Sequence, residues 1–230
     1  MKKLFFAIVL MSFFPLHGLA QDAYLNKIKG KVEIFDSSAN PRKALIQSPL
    51  YEGYLIRTGS GAECEIVFKD KSVIFVSENT ELKIEKAALE KDKRDFSLDF
   101  LRGKILFFVQ KMVNSAYRIK TPTAVCAVRG TDFSVIASSD SALVGLFEGK
   151  MEIEKGKTVR ELNPGAEAEI KGDIAVRDRL SHIMQKEKIR AEKLKKYVEN
   201  VRLKMEKRDK KIKERDEKIK SKMREMQKPE

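Results

Sequence analysis

Thr121-Pro122-Thr123-Ala124-Val125-Cys126-Ala127-Val128-Arg129-Gly130-Thr131-Asp132-Phe133-Ser134-Val135 is the stretch on which the fold turns. Pro122 holds Thr121 extended, because its ring disfavours the helical region for the residue before it. An unbroken apolar strand, Ala124 to Val128, follows, and Arg129-Gly130-Thr131 interrupts it. Gly130 supplies a backbone conformation that a residue with a Cβ adopts only with strain. Beyond the break, Phe133, Val135 and Ala137 recur at every second position, the period of a half-buried strand. Strand, sharp turn, strand is the unit that the rest of the body repeats.

The same alternation runs outward in both directions. Ala62, Cys64, Ile66 and Phe68 share one face, with Glu63, Glu65 and Lys69 on the other. Phe96, Leu98 and Phe100 alternate with acidic and hydroxyl residues, and Met151 with Ile153 and Ala166 with Ala168 and Ile170 do the same. Gly53, Gly59, Gly61, Gly103, Gly149, Gly156 and Asn163-Pro164-Gly165 punctuate the bursts as turns. Ile105 to Val109 is apolar on both faces, which places that strand centrally. The reading is all-β: a sandwich or roll of many short, mostly antiparallel strands over residues 21–172. The alternative, βαβ units, requires helical crossovers, and only Ser77 to Lys91 could supply a short one.

The signature carries a resemblance. Thr121 to Val135 resembles the signature of the FecR domain family, and Gly53–Thr58, Gly61–Phe68 and Lys69–Val76 resemble its earlier hairpins. Leu101-Arg102-Gly103-Lys104-Ile105 and Phe147-Glu148-Gly149-Lys150-Met151 resemble its later turns, so the likeness spans about residues 24–170. It implies an all-β extracytoplasmic domain, which in the best-known members relays a signal from an outer-membrane receptor to a sigma factor. The chain departs from that architecture at its start, where a signal peptide stands in place of a cytoplasmic segment and transmembrane helix. It departs again at Asp70-Lys71, where the family often has Asp-Gly. Lys tolerates positive φ poorly, so a looser turn is expected there.

The N-terminus sets the compartment. Lys2 and Lys3 precede an apolar run from Leu4 to Leu16, with small residues at Gly18 and Ala20. This reads as a secretory signal peptide, residues 1–20, cut after Ala20. An uncleaved anchor needs about 20 apolar residues, and Pro15 and His17 interrupt the run first. The expected location is the periplasm, with the cell surface as the alternative, and no transmembrane span in the mature chain.

Composition then excludes several chemistries. Of 230 residues only two are His (His17 and His182) and two are Cys, and Trp is absent, so multi-histidine and Cys-rich metal sites lack ligands. His182 lies beside Ser181 in a charged tail without the walled pocket a triad needs. The carboxylate pairs Glu63/Glu65 and Glu167/Glu169 read as solvated strand faces rather than acid–base dyads. No Gly-rich phosphate loop joins a strand to a helix. The chain is therefore read as non-enzymatic, without metal or cofactor. In the signature loop, Arg129, Gly130 and Thr131 are the candidate site. Arg129 is read either as an anion or partner contact or, preferentially, as a partly buried tie between loops. Cys64 and Cys126 fall on apolar strand positions; they could pair in an oxidising compartment, but separate burial as small hydrophobes is preferred.

The basicity sits in the tail. From Arg177 to Glu230 there are 21 basic and 11 acidic residues, a balance of +10 within a whole-chain net charge of +13. No Gly or Pro occurs between Ile174 and Lys228, so residues 173–230 read as one long basic helix capped by Asp173. Met184, Ala191, Val198, Met205, Ile212 and Ile219 recur every seven residues. With Leu180, Leu194 and Val201 they form a coiled-coil seam, weakened where Glu187, Arg208 and Arg215 occupy the same stripe. A parallel homodimer is the expectation, and a single solvated helix the rival. The expected partners are an envelope protein, or anionic envelope polymer or lipid headgroups, and not nucleic acid, since only Tyr197 could stack on a base. Three functions stay open: a binding or scaffolding module on a helical stalk, which we favour, a sensor subunit of an envelope regulatory system, and a surface adhesin.

Overall fold

The computed structural model describes residues 22–89, 94–111 and 115–226. The expected signal peptide, residues 1–20, lies outside the described residues. Among the described residues, fifteen strands precede one helix. They are β1 (Ala23–Lys29), β2 (Val32–Phe35), β3 (Pro41–Lys43), β4 (Pro49–Leu50), β5 (Leu55–Thr58), β6 (Glu63–Phe68), β7 (Val73–Val76) and β8 (Glu81–Leu89). Then come β9 (Arg94–Phe108), β10 (Ser115–Lys120), β11 (Val125–Ala137), β12 (Ala142–Lys155), β13 (Thr158–Leu162), β14 (Glu167–Lys171) and β15 (Asp173–Arg177), followed by α1 (His182–Met226). Glu81–Leu89 is strand rather than a helical crossover, and the described residues before α1 hold strands and turns only.

Three long strands are each shared between two halves of the sheet. The first half of β9 pairs with β8 and, in parallel, with β10. Its second half, from Gly103 onward, pairs with β7 and β11. Strands β11 and β12 run alongside each other and change register between Arg129 and Phe133. The two halves fold over so that their apolar faces meet, with Phe68 of β6 edge-on to Phe96 of β9 at 4.6 Å between ring centroids. Ile66, Phe68, Leu98, Phe100, Phe133, Val135, Met151, Ile153, Ala168 and Ile170 all join this core. Gly130 (φ +57°) and Gly149 (φ +92°) sit at the bend, and a Cβ on Gly149 would lie 2.5 Å from the Gly130 carbonyl oxygen. Only residues without a side chain let β11 and β12 pass that closely.

Two strands are apolar on both faces for a second reason. In β7, Ile74 and Val76 enter the sandwich core, while Val73 and Phe75 face the other way. In β9, Ile105 and Phe107 face the core, and Leu106 and Phe108 face outward. These outward residues are buried beneath α1, which lies on the sheet as a third layer. Ala191, Val198, Val201 and Met205 complete that second apolar cluster, with Tyr24 and Val67.

This packing corrects the reading of the tail. Leu180, Met184, Ala191, Val198, Val201 and Met205 are buried, and Leu194 is half-buried, against the chain's own sheet rather than a second helix. Glu187, a misfit in a dimer seam, is buried because Lys104 of β9 meets it at 2.7 Å. The stripe fits a sheet that carries its counter-charge. Ile212 and Ile219 remain exposed, in a stretch where every residue from Lys210 to Met223 is exposed. The homodimer seam is thus reduced to that outer part.

The helix also starts later than expected. Residues 173–177 form β15, paired in register with β14 from Lys171↔Asp173 to Glu167↔Arg177. Asp173 is therefore a strand residue, and Ser181 caps the helix, its Oγ accepting from the Met184 N–H at 3.5 Å. The β domain extends to residue 177, not 172. At Asp70-Lys71 the turn is tight. Lys71 adopts φ +73°, its N–H donating to Phe68 at 2.9 Å. Asp70 holds the turn by accepting from the Ser72 N–H (3.0 Å) and hydroxyl (2.8 Å), which offsets the strain on Lys71.

Candidate functional site

The most elaborated polar chemistry lies between α1 and the sheet. At its start, Glu167 of β14, only 1% exposed, accepts from the Ser181 N–H at 2.7 Å and from Arg177 at 3.2 Å. Midway, Arg190 donates to the Ser77 hydroxyl at 3.2 Å. Lys195 bridges Glu148 and Asp132, the latter at 3.5 Å. Tyr197 donates to Glu65 of β6, and Asn26 of β1 donates to the same carboxylate at 2.8 Å. Lys27 lies 3.6 Å from the Tyr197 ring centroid, a cation–π contact. Arg202 donates to the backbone carbonyls of Lys71 (3.2 Å) and Phe108 (3.1 Å), and Lys71 pairs with Glu206 at 3.0 Å.

Glu65 and Glu167 are therefore not a solvated strand face. Each is a buried carboxylate with its hydrogen bonds made, which is what burial of a charge requires. Burial, and then the adjoining Glu65, push the Tyr197 phenol well above its ordinary value, so it stays a donor. Burial also raises the Asp132 carboxyl, against the pull of Lys195. Glu148 holds Lys195 protonated above the ordinary lysine range. Nothing in this set is poised to attack or to transfer a proton; it fastens the helix.

The residues singled out from the sequence lie elsewhere. Arg129 is exposed, so it is not a buried tie between loops. It borders a shallow cleft of about 430 Å³ with Arg118, Lys150, Glu152 and Glu161, where the charges are mixed. Gly130 is the bend described above. Thr131 is 1% exposed, and its hydroxyl has no hydrogen-bond partner among the described residues. Cys64 and Cys126 are separate buried thiols, and burial pushes both up to about 12, where a thiolate nucleophile is out of reach near neutral pH. His182 is exposed at the first position of α1. Among the described residues no group of three or more His, Cys, Asp or Glu could hold a metal ion, and no helix is long and apolar enough to cross a membrane.

A groove runs along one flank of α1. It holds a cavity of about 560 Å³ between the helix and strands β1, β6 and β7, with Phe75 and Leu194 as apolar walls. A second cavity of about 480 Å³ adjoins it, and Lys29, Glu63 and Arg190 border both. The polar ties missed from the sequence, Glu65, Asn26, Asp132 and Tyr197, surround this flank and its opposite. The one available signal was Tyr197, the lone aromatic residue of the tail.

Two crystal structures of a candidate anti-sigma factor from Parabacteroides distasonis ATCC 8503, at 1.65 and 2.50 Å resolution, each match at 20% identity and a TM-score of 0.48. Each match covers 54% of this chain and 59% of that one, so the chain spans under two thirds of its structural neighbour. No curated protein matches. The family model described as FecR protein matches residues 54–152, from just before β5 to within β12. That segment contains β9, β11, most of β12 and the bend at Gly130 and Gly149, and over it the β domain is similar to FecR proteins.

Proposed function

We propose that the chain is a non-enzymatic regulatory module of the cell envelope. In this reading it is exported by its leader, binds an envelope partner through its FecR domain, and couples that binding to its C-terminal helix. The FecR domain supports a signal-transducing role in envelope regulation. The observation that carries the rest is the division of α1. The first part belongs to the domain's own packing, and the last part, Lys210 to Met223, leaves it with seven basic and three acidic residues. A purely structural cap needs no such extension. An exposed basic helix end is suited to an acidic surface on a partner or to anionic envelope polymer.

A pull-down from intact envelopes, comparing the full chain with one ending at Asp209, tests this. That end point keeps every helix–sheet contact described above except those beyond residue 209. A partner retained by the shortened chain supports recognition by the β domain. A partner lost with residues 210–230 replaces it with the scaffold reading, in which the tail alone makes the attachment. Recovery from the periplasmic fraction is the expected location, and retention in the cytoplasm would refute export.

A further inference from the structure

The groove beside α1 has the composition of a ligand site. A volume of about 560 Å³ falls in the range of small-molecule pockets, roughly 300 to 1,000 Å³. Its apolar side-chain walls are Phe75 and Leu194, with Ile46, 62% exposed, also bordering it; Ile28, Cys64 and Val76 line it from strands whose side chains turn into the sandwich core. Four cations border it: Lys27, Lys29, Arg190 and Lys193. Two carboxylates oppose them, Glu63 and Glu65, but Glu65 is already committed to Tyr197 and Asn26. Lys27 is held over the Tyr197 ring, and Arg190 is held by Ser77 and, at 3.5 Å, by Glu187. Among the described residues Lys29 and Lys193 have no ion-pair partner.

Lys29, Arg190 and the carboxylate Glu63 mark the point where the apolar cavity opens into its polar neighbour, which Ser77, Glu78 and Lys104 border. Lys29, Arg190 and Lys193 outnumber Glu63 there, so an apolar channel ending in net positive charge fits one kind of molecule. We infer that the groove binds a linear amphiphile with an anionic head group, its tail along Phe75 and Leu194 and its head between Lys29, Arg190 and Lys193. Burial of the tail supplies the affinity and the cations supply the choice of head. The site does not depend on the regulatory reading, since amphiphile binding can fail while partner capture persists.

Calorimetry on the full chain provides the test. The probes are dodecanoate below its micellar concentration, dodecyltrimethylammonium with the same tail and the opposite head, and phosphatidylglycerol vesicles as a membrane-borne source. Dodecanoate is expected to bind one to one, at least about tenfold more tightly than the cationic amphiphile. Lys29→Gln with Lys193→Gln should weaken it by about tenfold while leaving the thermal melt unchanged, because both side chains are exposed. Lys193→Gln alone serves if the double variant does not fold. No binding of dodecanoate, equal binding of both heads, or an unaffected variant overturns the inference. Binding to vesicles without binding of the free acid also overturns it, assigning the attraction to the helix surface.

Discussion

The Tyr197 hydroxyl stands 3.0 and 2.9 Å from the two carboxylate oxygens of Glu65, joining residues 132 positions apart across the helix–sheet boundary. Glu65 is 2% exposed, so the charge depends on this donor, on Asn26 and on Lys27 at 3.8 Å. Removing one partner of a buried charged group leaves its desolvation cost uncompensated. Tyr197→Phe is expected to lower stability by about 1 to 3 kcal/mol, read from urea unfolding. Adding Glu65→Gln should shrink the penalty, and a full penalty in that background would mean the hydroxyl acts on something else.

Asp132 gives a pH dependence with a defined sign. Its carboxyl is raised above the ordinary value, chiefly by burial, so the folded chain holds that proton to higher pH than the unfolded chain does. Between the two values the folded state binds more protons, and stability falls as pH rises through that window. Asp132→Asn cannot titrate. The variant should therefore gain on the parent in urea midpoint as pH rises above the ordinary aspartate value, about 4. A difference that stays constant, or moves the other way, would show that Lys195 outweighs burial.

Gly149 and Gly156 both have positive φ, +92° and +58°, but only Gly149 is crowded. Gly156→Ala, with no atom within 4 Å of the added methyl, pays backbone strain alone, about 1 kcal/mol. Gly149→Ala also drives a methyl against the Gly130 carbonyl and Thr131, and is expected to cost about 3 kcal/mol or more. Equal losses in denaturant melts would mean that β11 can move away from β12 at the bend.

Truncations separate the two halves of α1. A chain ending at Arg179 uncovers Val73, Phe75, Leu106 and Phe108, and is expected to bind ANS strongly and to aggregate. A chain ending at Asp209 should do neither. The full chain is expected to sediment as a monomer at micromolar concentration, because the apolar part of its heptad stripe is already occupied. A dimer mass would show that Ile212 and Ile219 suffice for association.

The strands were readable because one face of each is apolar and the other polar, and that pattern survives in Cys64–Ile66–Phe68 and Phe133–Val135–Ala137 as buried core. The helix was readable from its length without Gly or Pro, although β15 hid inside it: Ile174 and Val176 alternate too briefly to outweigh a helical run. What the heptads cannot say is what they face. Met184 to Met205 at seven-residue spacing suits a helix or a sheet equally, and only the doubly apolar Val73–Val76 and Ile105–Phe108 announce that the sheet needs a cover. Glu65 looked solvated because alternation assigns a face, not its surroundings. Its partners Asn26 and Tyr197 lie at opposite ends of the described chain, where no local pattern connects them.

The bond from Asn26 to Tyr197, 3.1 Å long and spanning 171 residues, also orders events in time. The first strand cannot complete its contacts until nearly the last segment has been made. At a synthesis rate of about 5 to 20 residues per second, the ribosome adds α1 over several seconds. Through that interval the outward face of β7 and β9 has nothing to cover it. Those side chains find their cover only when the final element arrives, so closing the outer layer of the fold waits on the helix.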